Sequence, residues 1–422
     1  MKNSRFGWFL FALVAAFYCY EYVLRIAPGA LSAELMQHYG LSATAFGNLF
    51  AVYYYIYTPM QIPVGVLLDR YKTRILLTLA TLLCAGGTFI FAGTSSLGIA
   101  QLGRFLVGLG SAFGFVGVMK VASLWLPANR LGMIAGLTTT LGMLGGIIGN
   151  NLMAFWVQTA GWQALMYVSG GFGLLLALVM AYFLPNSSPS AEKKEVAPLT
   201  MSSLIGPMSL LLKSRQLWLA ALCGGILYTS LSVFAELWGV PYLQIKGFSP
   251  TSATALISMI FLGWALGGPL IGLISDRFND RRLPLLWGSL LGALCIALVI
   301  FVDGLGPLSI ATLLFLFGAF SSAENLCFVL AKESTLPSLA ASAIALTNTF
   351  VMLAGTILQP LVGLILDLTF EGGITNGVHL YTQTNFQYAL LALPLLYLAS
   401  AALSLLLKPA YAPAPLAPVI SE

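Results

Sequence analysis

Apolar residues run through this chain in long blocks, without the alternating or narrow striped patterns that mark half-buried strands and surface helices. Twelve blocks, at 6–30, 43–68, 74–93, 98–124, 131–157, 162–184, 216–243, 250–274, 283–302, 305–331, 338–366 and 384–407, are separated by short polar or Pro/Gly-containing breaks. A hydrocarbon core of about 30 Å takes about 20 apolar residues per helix, so each block predicts one membrane-spanning helix. Runs of this length exclude an outer-membrane barrel, whose strands are alternating segments of about 10 residues. The first block follows a short positive stretch, as a signal peptide would. It carries Glu21 and Arg25 and no A-x-A cleavage site, however, so it is expected to remain as helix 1.

The chain also repeats. "GLSATAFGNLFAVYYYIYTPMQIPVGVLLDR" (40–70) aligns without a gap on "GFSPTSATALISMIFLGWALGGPLIGLISDR" (247–277), with Gly40, Ser42, Thr44, Leu49, Gly65, Asp69 and Arg70 recurring as Gly247, Ser249, Thr251, Leu256, Gly272, Asp276 and Arg277. With a shift of three, Leu106, Gly108, Ser111, Leu126 and Pro127 recur as Leu316, Gly318, Ser321, Leu336 and Pro337. The predicted architecture is all-α: a six-helix bundle at 1–184, a linker at 185–215, a second six-helix bundle at 216–407 and a disordered tail at 408–422. The Pro/Ser-rich linker stretch "PNSSPSAEKKEVAP" can neither pack nor span, while an interfacial helix is expected near 199–213. Two parallel repeats related by an axis along the membrane normal place a solute site between them near the midplane and permit alternating access.

Composition agrees with this pattern: 59% of the 422 residues are hydrophobic and 8% charged, which excludes a soluble globular chain. The net charge of +5 is explained by topology, with no need for nucleic acid. Arg70, Lys72, Arg74, Arg130, Lys193, Lys194, Arg277, Arg281 and Arg282 all fall on one side, which predicts that both termini are cytoplasmic in a multi-pass cell-membrane protein, a bacterial inner membrane being expected. Cys19, Cys84, Cys223, Cys295 and Cys327 lie in apolar blocks without paired spacing, so no metal or disulfide framework is expected. His38 and His379 fall in loops, and no nucleophile with an aligned base or phosphate-cradling loop is present. An enzyme is not expected, nor is a cofactor.

"GVLLDRYKTR" and "GLISDRFNDRR" resemble the loop signature G-x-x-x-D-R-x-x-x-R of the major facilitator superfamily, found between helices 2 and 3 and again between 8 and 9. "RFLVGLGSAFG" is similar to the family's helix-4 pattern and "GWQALMYVSG" to its usual entry to helix 6, so the resemblance covers essentially the whole chain. It implies a twelve-helix secondary transporter and gating roles for Gly65, Asp69, Arg70, Arg74, Gly272, Asp276 and Arg277. In the family the motif aspartate pairs with a nearby arginine and with a helix N-terminus of the other half, holding the cytoplasmic side shut. On the alternative reading these basic residues only fix topology. Helix 5 is dense in Gly and Thr, and Gly142, Gly145, Gly146 and Gly149 near one face predict close contact between the halves.

Charges within the blocks are Glu21, Arg25, Arg104, Lys120, Glu236 and Glu324, with Asp367 at an outer end. Each costs about 2.5 to 3.5 kcal/mol on insertion scales, so each is expected to face a partner or a wet cavity. Glu21 and Arg25 are one turn apart, about 22 Å along helix 1, and can be simply each other's partner. Arg104 matches the family's helix-4 arginine, which in proton-coupled relatives is tied to an acidic residue. A guanidinium holds its proton, so its work would be to tune a carboxylate or grip an anion. Arg25, Tyr53, Tyr57, Arg104, Asn150 and Glu236 are candidate substrate contacts and Glu21 and Glu324 candidate proton carriers. The bland alternatives are satisfied packing for the tyrosines, a rim position for Glu236 and an interfacial position for Lys120. Mixed charges across one cavity suit a zwitterion or small carboxylate. The expected function is proton-coupled uptake of an amino acid, short peptide or organic acid by a monomer. Proton-driven efflux of amphipathic compounds and a transporter-like sensor are the alternatives.

Overall fold

The repeated glycines and serines are helix punctuation. Gly40 and Gly247 take positive φ of 60° and 96°, where a side chain would be strained, and close the segments before helices 2 and 8. Ser42 and Ser249 then cap those helices, their hydroxyls accepting from the amides of Ala45 and Ser252. The computed structural model describes residues 4–127, 130–185, 211–336, 339–375 and 378–408. Most of the linker and all of the predicted tail after Lys408, with the bulk of the interfacial helix, lie outside those residues.

Twelve long helices follow in order. Helices 1 to 6 are Ser4–Ala30, Ala43–Arg70, Thr73–Ala92, Leu97–Trp125, Leu131–Ala160 and Trp162–Phe183. Helices 7 to 12 are Arg215–Ile245, Pro250–Phe278, Arg282–Phe301, Pro307–Glu333, Ala340–Leu368 and Gln383–Leu405. A short helix, Ser32–Tyr39, follows helix 1, and a two-stranded hairpin pairs Ile374–Thr375 with Val378–His379 before helix 12. The molecule is two six-helix bundles. Eleven of the twelve helices are long and apolar enough to cross a membrane. Helix 2 is the exception because Asn48, Tyr53, Tyr54, Tyr55, Tyr57, Pro59, Gln61 and Pro63 dilute it.

Four helices depart from regular winding, helix 12 by a turn at Leu391, and none of these departures was legible in the apolar pattern. Helix 4 breaks after Ser111, and helix 10 tightens into a 3-10 turn at Ser322–Glu324, immediately after the repeat counterpart Ser321. Helix 7 widens into a nine-residue π segment, Ser230–Trp238, a winding frequent at functional sites.

Small residues set the helix spacing. A Cβ on Gly103 would lie 2.7 Å from the Gly87 carbonyl oxygen, joining helices 3 and 4, while one on Gly318 would drive into the Ile260 carbonyl of helix 8. Gly318→Leu should therefore force helices 8 and 10 apart at a cost of about 1–3 kcal/mol, seen as a lower unfolding temperature of the purified protein; an unchanged temperature would contradict this packing. On helix 5, Gly142 and Gly145 pack against Tyr18, Tyr22 and Cys19 of helix 1, within the first bundle, and Gly149 against Val23. Gly146 alone of the four also meets the other bundle, at Phe261. The expectation that this stripe joins the halves holds at Gly146; at Gly142, Gly145 and Gly149 it is corrected, the small side chains letting the thick, tyrosine-lined helix 1 settle against helix 5.

Because the helices alternate in direction, both chain ends and the connection between bundles share one face, the termini face, opposite the far face. The bundles meet tightly toward the far face. There Gly29 abuts the Glu236 carbonyl, Gly363 abuts the Ala43 carbonyl, and a Cβ on Gly47 would sit 2.7 Å from the Gln359 oxygen. Asn151 Nδ2 also donates to Ser258 Oγ at 2.7 Å between helices 5 and 8, while nearer the termini face Asn348 Nδ2 donates to Gln61 Oε1 at 3.0 Å between helices 11 and 2. At the termini face the motif glycines Gly65 and Gly272 have no atom within 4 Å of an added Cβ. The structure is closed at the far face and loosened where the loop motifs lie.

Candidate solute-binding site between the halves

Helix 1 brings Glu21 and Arg25 to one face, and helix 2 brings Tyr53, Tyr54 and Tyr57 against them. All five are buried, Glu21 being fully so. Arg25 Nη2 donates to Glu21 Oε2 at 3.4 Å, Arg25 Nε to Tyr53 Oη at 2.9 Å, and Tyr53 in turn donates to Glu21 Oε2 at 3.0 Å. The triangle satisfies one carboxylate oxygen and two guanidinium nitrogens. Helix 7 closes it from the other bundle: Arg25 Nη1 donates to Tyr228 Oη at 3.2 Å, and Tyr54 Oη donates to Glu236 Oε2 at 2.5 Å. The Arg25 guanidinium also lies over the rings of Tyr22, Tyr57 and Tyr53 at 4.5, 4.8 and 5.1 Å. An aromatic box of this kind holds a desolvated cation by its ring faces.

Arg104 of helix 4 sits beside this box but is held differently. Its Nη1 donates to the Leu24 carbonyl at 2.9 Å, and its guanidinium lies 5.1 and 5.3 Å from the rings of Phe50 and Tyr53. It is 3% exposed, its Nε is unpartnered, and among the described residues no carboxylate stands within ion-pair distance. A buried charge without a counter-charge is expensive, and the fork geometry of a guanidinium suits a carboxylate. Oε1 of Glu21 and Oε1 of Glu236 are likewise buried without a hydrogen-bond donor. The site therefore offers one unsatisfied anion-binding group and two unsatisfied acceptors within a shell of tyrosines.

Of the remaining candidates, Asn150 is wholly buried with both amide atoms unpartnered, but no hydrogen bond joins it to this cluster. Glu236 is 2% exposed and bonded to Tyr54, so the rim position considered for it does not hold: the wide π turn and the close fit of Gly29 carry it into the interior. Glu324 stands apart in the 3-10 turn of helix 10, 4% exposed and without a hydrogen bond or ion pair among the described residues. Its counterpart in the first-half repeat is Gly114, where an added Cβ would come 3.3 Å from Glu21 Cγ. Extending the Gly40-to-Gly247 register makes Tyr228 the counterpart of Glu21. At the level where the first and fourth helices of each repeat meet, the carboxylate is supplied by helix 1 in the first bundle and by helix 10 in the second, which also buries Glu236 on helix 7.

At the termini face Asp69 pairs with Lys120 Nζ at 2.7 Å, which places Lys120 at the interface. Asp276 pairs with Arg281 at 2.5 Å, and Arg281 reaches Glu333 at 3.1 Å. The expected arginine partner of Asp69 is a lysine of helix 4 here. Tyr228 and Tyr22 were missed as site residues, and Tyr54 was legible only as a neighbour of Tyr53 and Tyr57 on the helical wheel; the one sequence signal for the other two was a tyrosine excess on the blocks that carry the charges.

The comparisons with known proteins agree with this architecture. A family model described as Major Facilitator Superfamily matches residues 9–359. The "Probable galactarate/D-glucarate transporter GudP" of Bacillus subtilis (strain 168) is 26% identical, over 94% of this chain and 92% of that protein. The lysosomal dipeptide transporter MFSD1 of Danio rerio is 24% identical, over 62% of this chain and 59% of that one. A crystal structure of a bacterial homologue of the human lysosomal transporter Spinster, inward-facing and unoccupied, superposes with a TM-score of 0.78 at 15% identity, over 95% of this chain and 96% of that chain. With its twelve helices in two bundles and its paired loop motifs, this chain belongs to the Major Facilitator Superfamily and is a membrane transporter of small molecules.

Proposed function

We propose that the protein is a proton-coupled carrier that takes up a small organic anion by alternating access, working as a monomer in a bacterial inner membrane with both termini cytoplasmic. The observation that carries this reading is Arg104, a buried guanidinium with no carboxylate partner beside a network in which Arg25 is paired with Glu21 and Glu236 is bonded to Tyr54. A carboxylate of the solute would supply the missing charge through paired N–H···O bonds, while Tyr53 and Tyr57 face its polar groups. Arg25, already shared by Glu21 and two tyrosines, would loosen from Glu21 as the anion arrives, leaving Glu21 to take a proton. Glu324 would hold a second proton in the other bundle. Asp69, Arg70, Arg74, Asp276 and Arg277, with Gly65 and Gly272, would serve the gate at the termini face.

Support for an anion also comes from the sugar-acid transport named for the Bacillus relative. A zwitterion is the second reading, favoured by the unpartnered oxygens of Glu21 and Glu236, either of which could accept an ammonium group. A ligand that binds the folded state alone raises stability with its concentration, by about 2.7 kcal/mol at a hundred times Kd. Purified protein screened against sugar diacids, monocarboxylates, amino acids, dipeptides and lipophilic cations should be stabilised by the organic anions. Stabilisation by lipophilic cations alone would overturn the reading in favour of efflux.

A further inference from the structure

Helix 11 ends at the far face in Asp367, and this carboxylate is bound to the first turn of helix 2 in the other bundle. Thr44 donates to Oδ2 through both its amide, at 2.9 Å, and its hydroxyl, at 2.5 Å. The amide of Ala43 donates to Oδ1 at 3.1 Å and also to Tyr381 Oη at 2.8 Å, and the Tyr381 hydroxyl itself donates to Oδ1. Tyr381 is positioned by the hairpin, where His379 stacks on Phe370 at 4.4 Å and brings Nδ1 to 4.0 Å from Asp367. Directly beneath, the Gly363 and Gly47 contacts bring the two backbones together. Free helix-N-terminal amides attract a carboxylate, and here they receive one from across the interface that must part if the far face opens.

We propose that Asp367 is the latch of the far-face gate: its bonds to Ala43 and Thr44, reinforced by Tyr381, hold the carrier closed on that side, and their rupture accompanies opening. The placement is reciprocal. Helix 2 carries Asp69 in its last turn at the termini face, where helix 11 begins, and helix 11 carries Asp367 in its last turn at the far face, where helix 2 begins. In this structure the far-face carboxylate is engaged across the interface while Asp69 is paired within its own bundle, with Lys120. Of these two end-of-helix carboxylates, only Asp367 is bonded across the bundles among the described residues. This rests on the alternating-access reading above.

The test is thiol accessibility. In a background with the five native cysteines replaced, Ser232→Cys puts a thiol on helix 7 beside Tyr54 and Gly355, between the bundles. The protein is reconstituted in liposomes and a membrane-impermeant maleimide is applied from the far face. Asp367→Asn should label about tenfold faster than its parent, from the loss of charge-assisted hydrogen bonds, and Tyr381→Phe faster by a smaller factor. Asp303→Asn removes an exposed far-face carboxylate whose partners, Gln383 and Lys246, belong to its own bundle, and should match the parent. Equal far-face rates in the parent and both latch variants overturn the proposal, and Tyr381→Phe decides the matter if Asp367→Asn does not fold. Labelling of the parent from the termini face is read separately and bears on alternating access alone, so the two readings fail independently.

Discussion

Arg104→Ala is expected to abolish uptake, lowering the initial rate of anion entry into proteoliposomes by a hundredfold or more, of the order implied when a buried charge loses its only partner at about 3–5 kcal/mol. The reason lies in how Arg104 is held. Leu24 and the two aromatic rings fix the guanidinium without neutralising it, so its unspent hydrogen-bonding capacity points to the solute. Arg104→Lys should recover little, because an ammonium keeps the charge but loses the planar fork. Removing the guanidinium also removes an uncompensated charge from the interior, so the alanine variant should be no less thermally stable without ligand while losing stabilisation by the anion. Uptake within twofold of the parent would sink the anion reading.

The second large effect is expected at the buried carboxylates. Glu21→Gln keeps an acceptor for Tyr53 but fixes the side chain neutral. Accumulation driven by a pH gradient should fall to the equilibrium level, while exchange of labelled for unlabelled solute across the same membrane persists. Glu324→Gln should behave alike if each bundle carries a proton through the cycle. A site that only binds would lose exchange and accumulation together, so the two assays separate coupling from recognition. If both variants still concentrate solute against a pH gradient as well as the parent, proton coupling through these residues is wrong.

Long apolar blocks and the internal repeat made the twelve helices readable in advance, because backbone groups in hydrocarbon must be satisfied within the helix itself. Pairs on one helix were equally accessible: Glu21 with Arg25 and Tyr53 with Tyr57 follow from one-turn spacing. What spacing does not reveal is which faces of separate helices meet. Tyr228 reaching Arg25, Tyr54 reaching Glu236, Lys120 reaching Asp69 and Asp367 reaching Thr44 all join separate helices, whose approach is set by close contacts such as those of Gly29, Gly47 and Gly363. Glu324 shows the same limit from the other side. As a membrane carboxylate it was conspicuous, yet its lack of any partner is a property of its neighbours.

Helix 7 adds a mechanical consequence. Its π segment carries an i→i+5 ladder through Glu236, and reverting to α winding would slip the register by one residue and swing that carboxylate roughly 100° about the axis, away from Tyr54. Gly29 is pressed against the Glu236 carbonyl, so the slip has no room while helix 1 stays seated. Helix 1 would thus act as a pawl on helix 7: if helix 7 rewinds during transport, it is expected to do so only once helix 1 has moved off the Glu236 carbonyl.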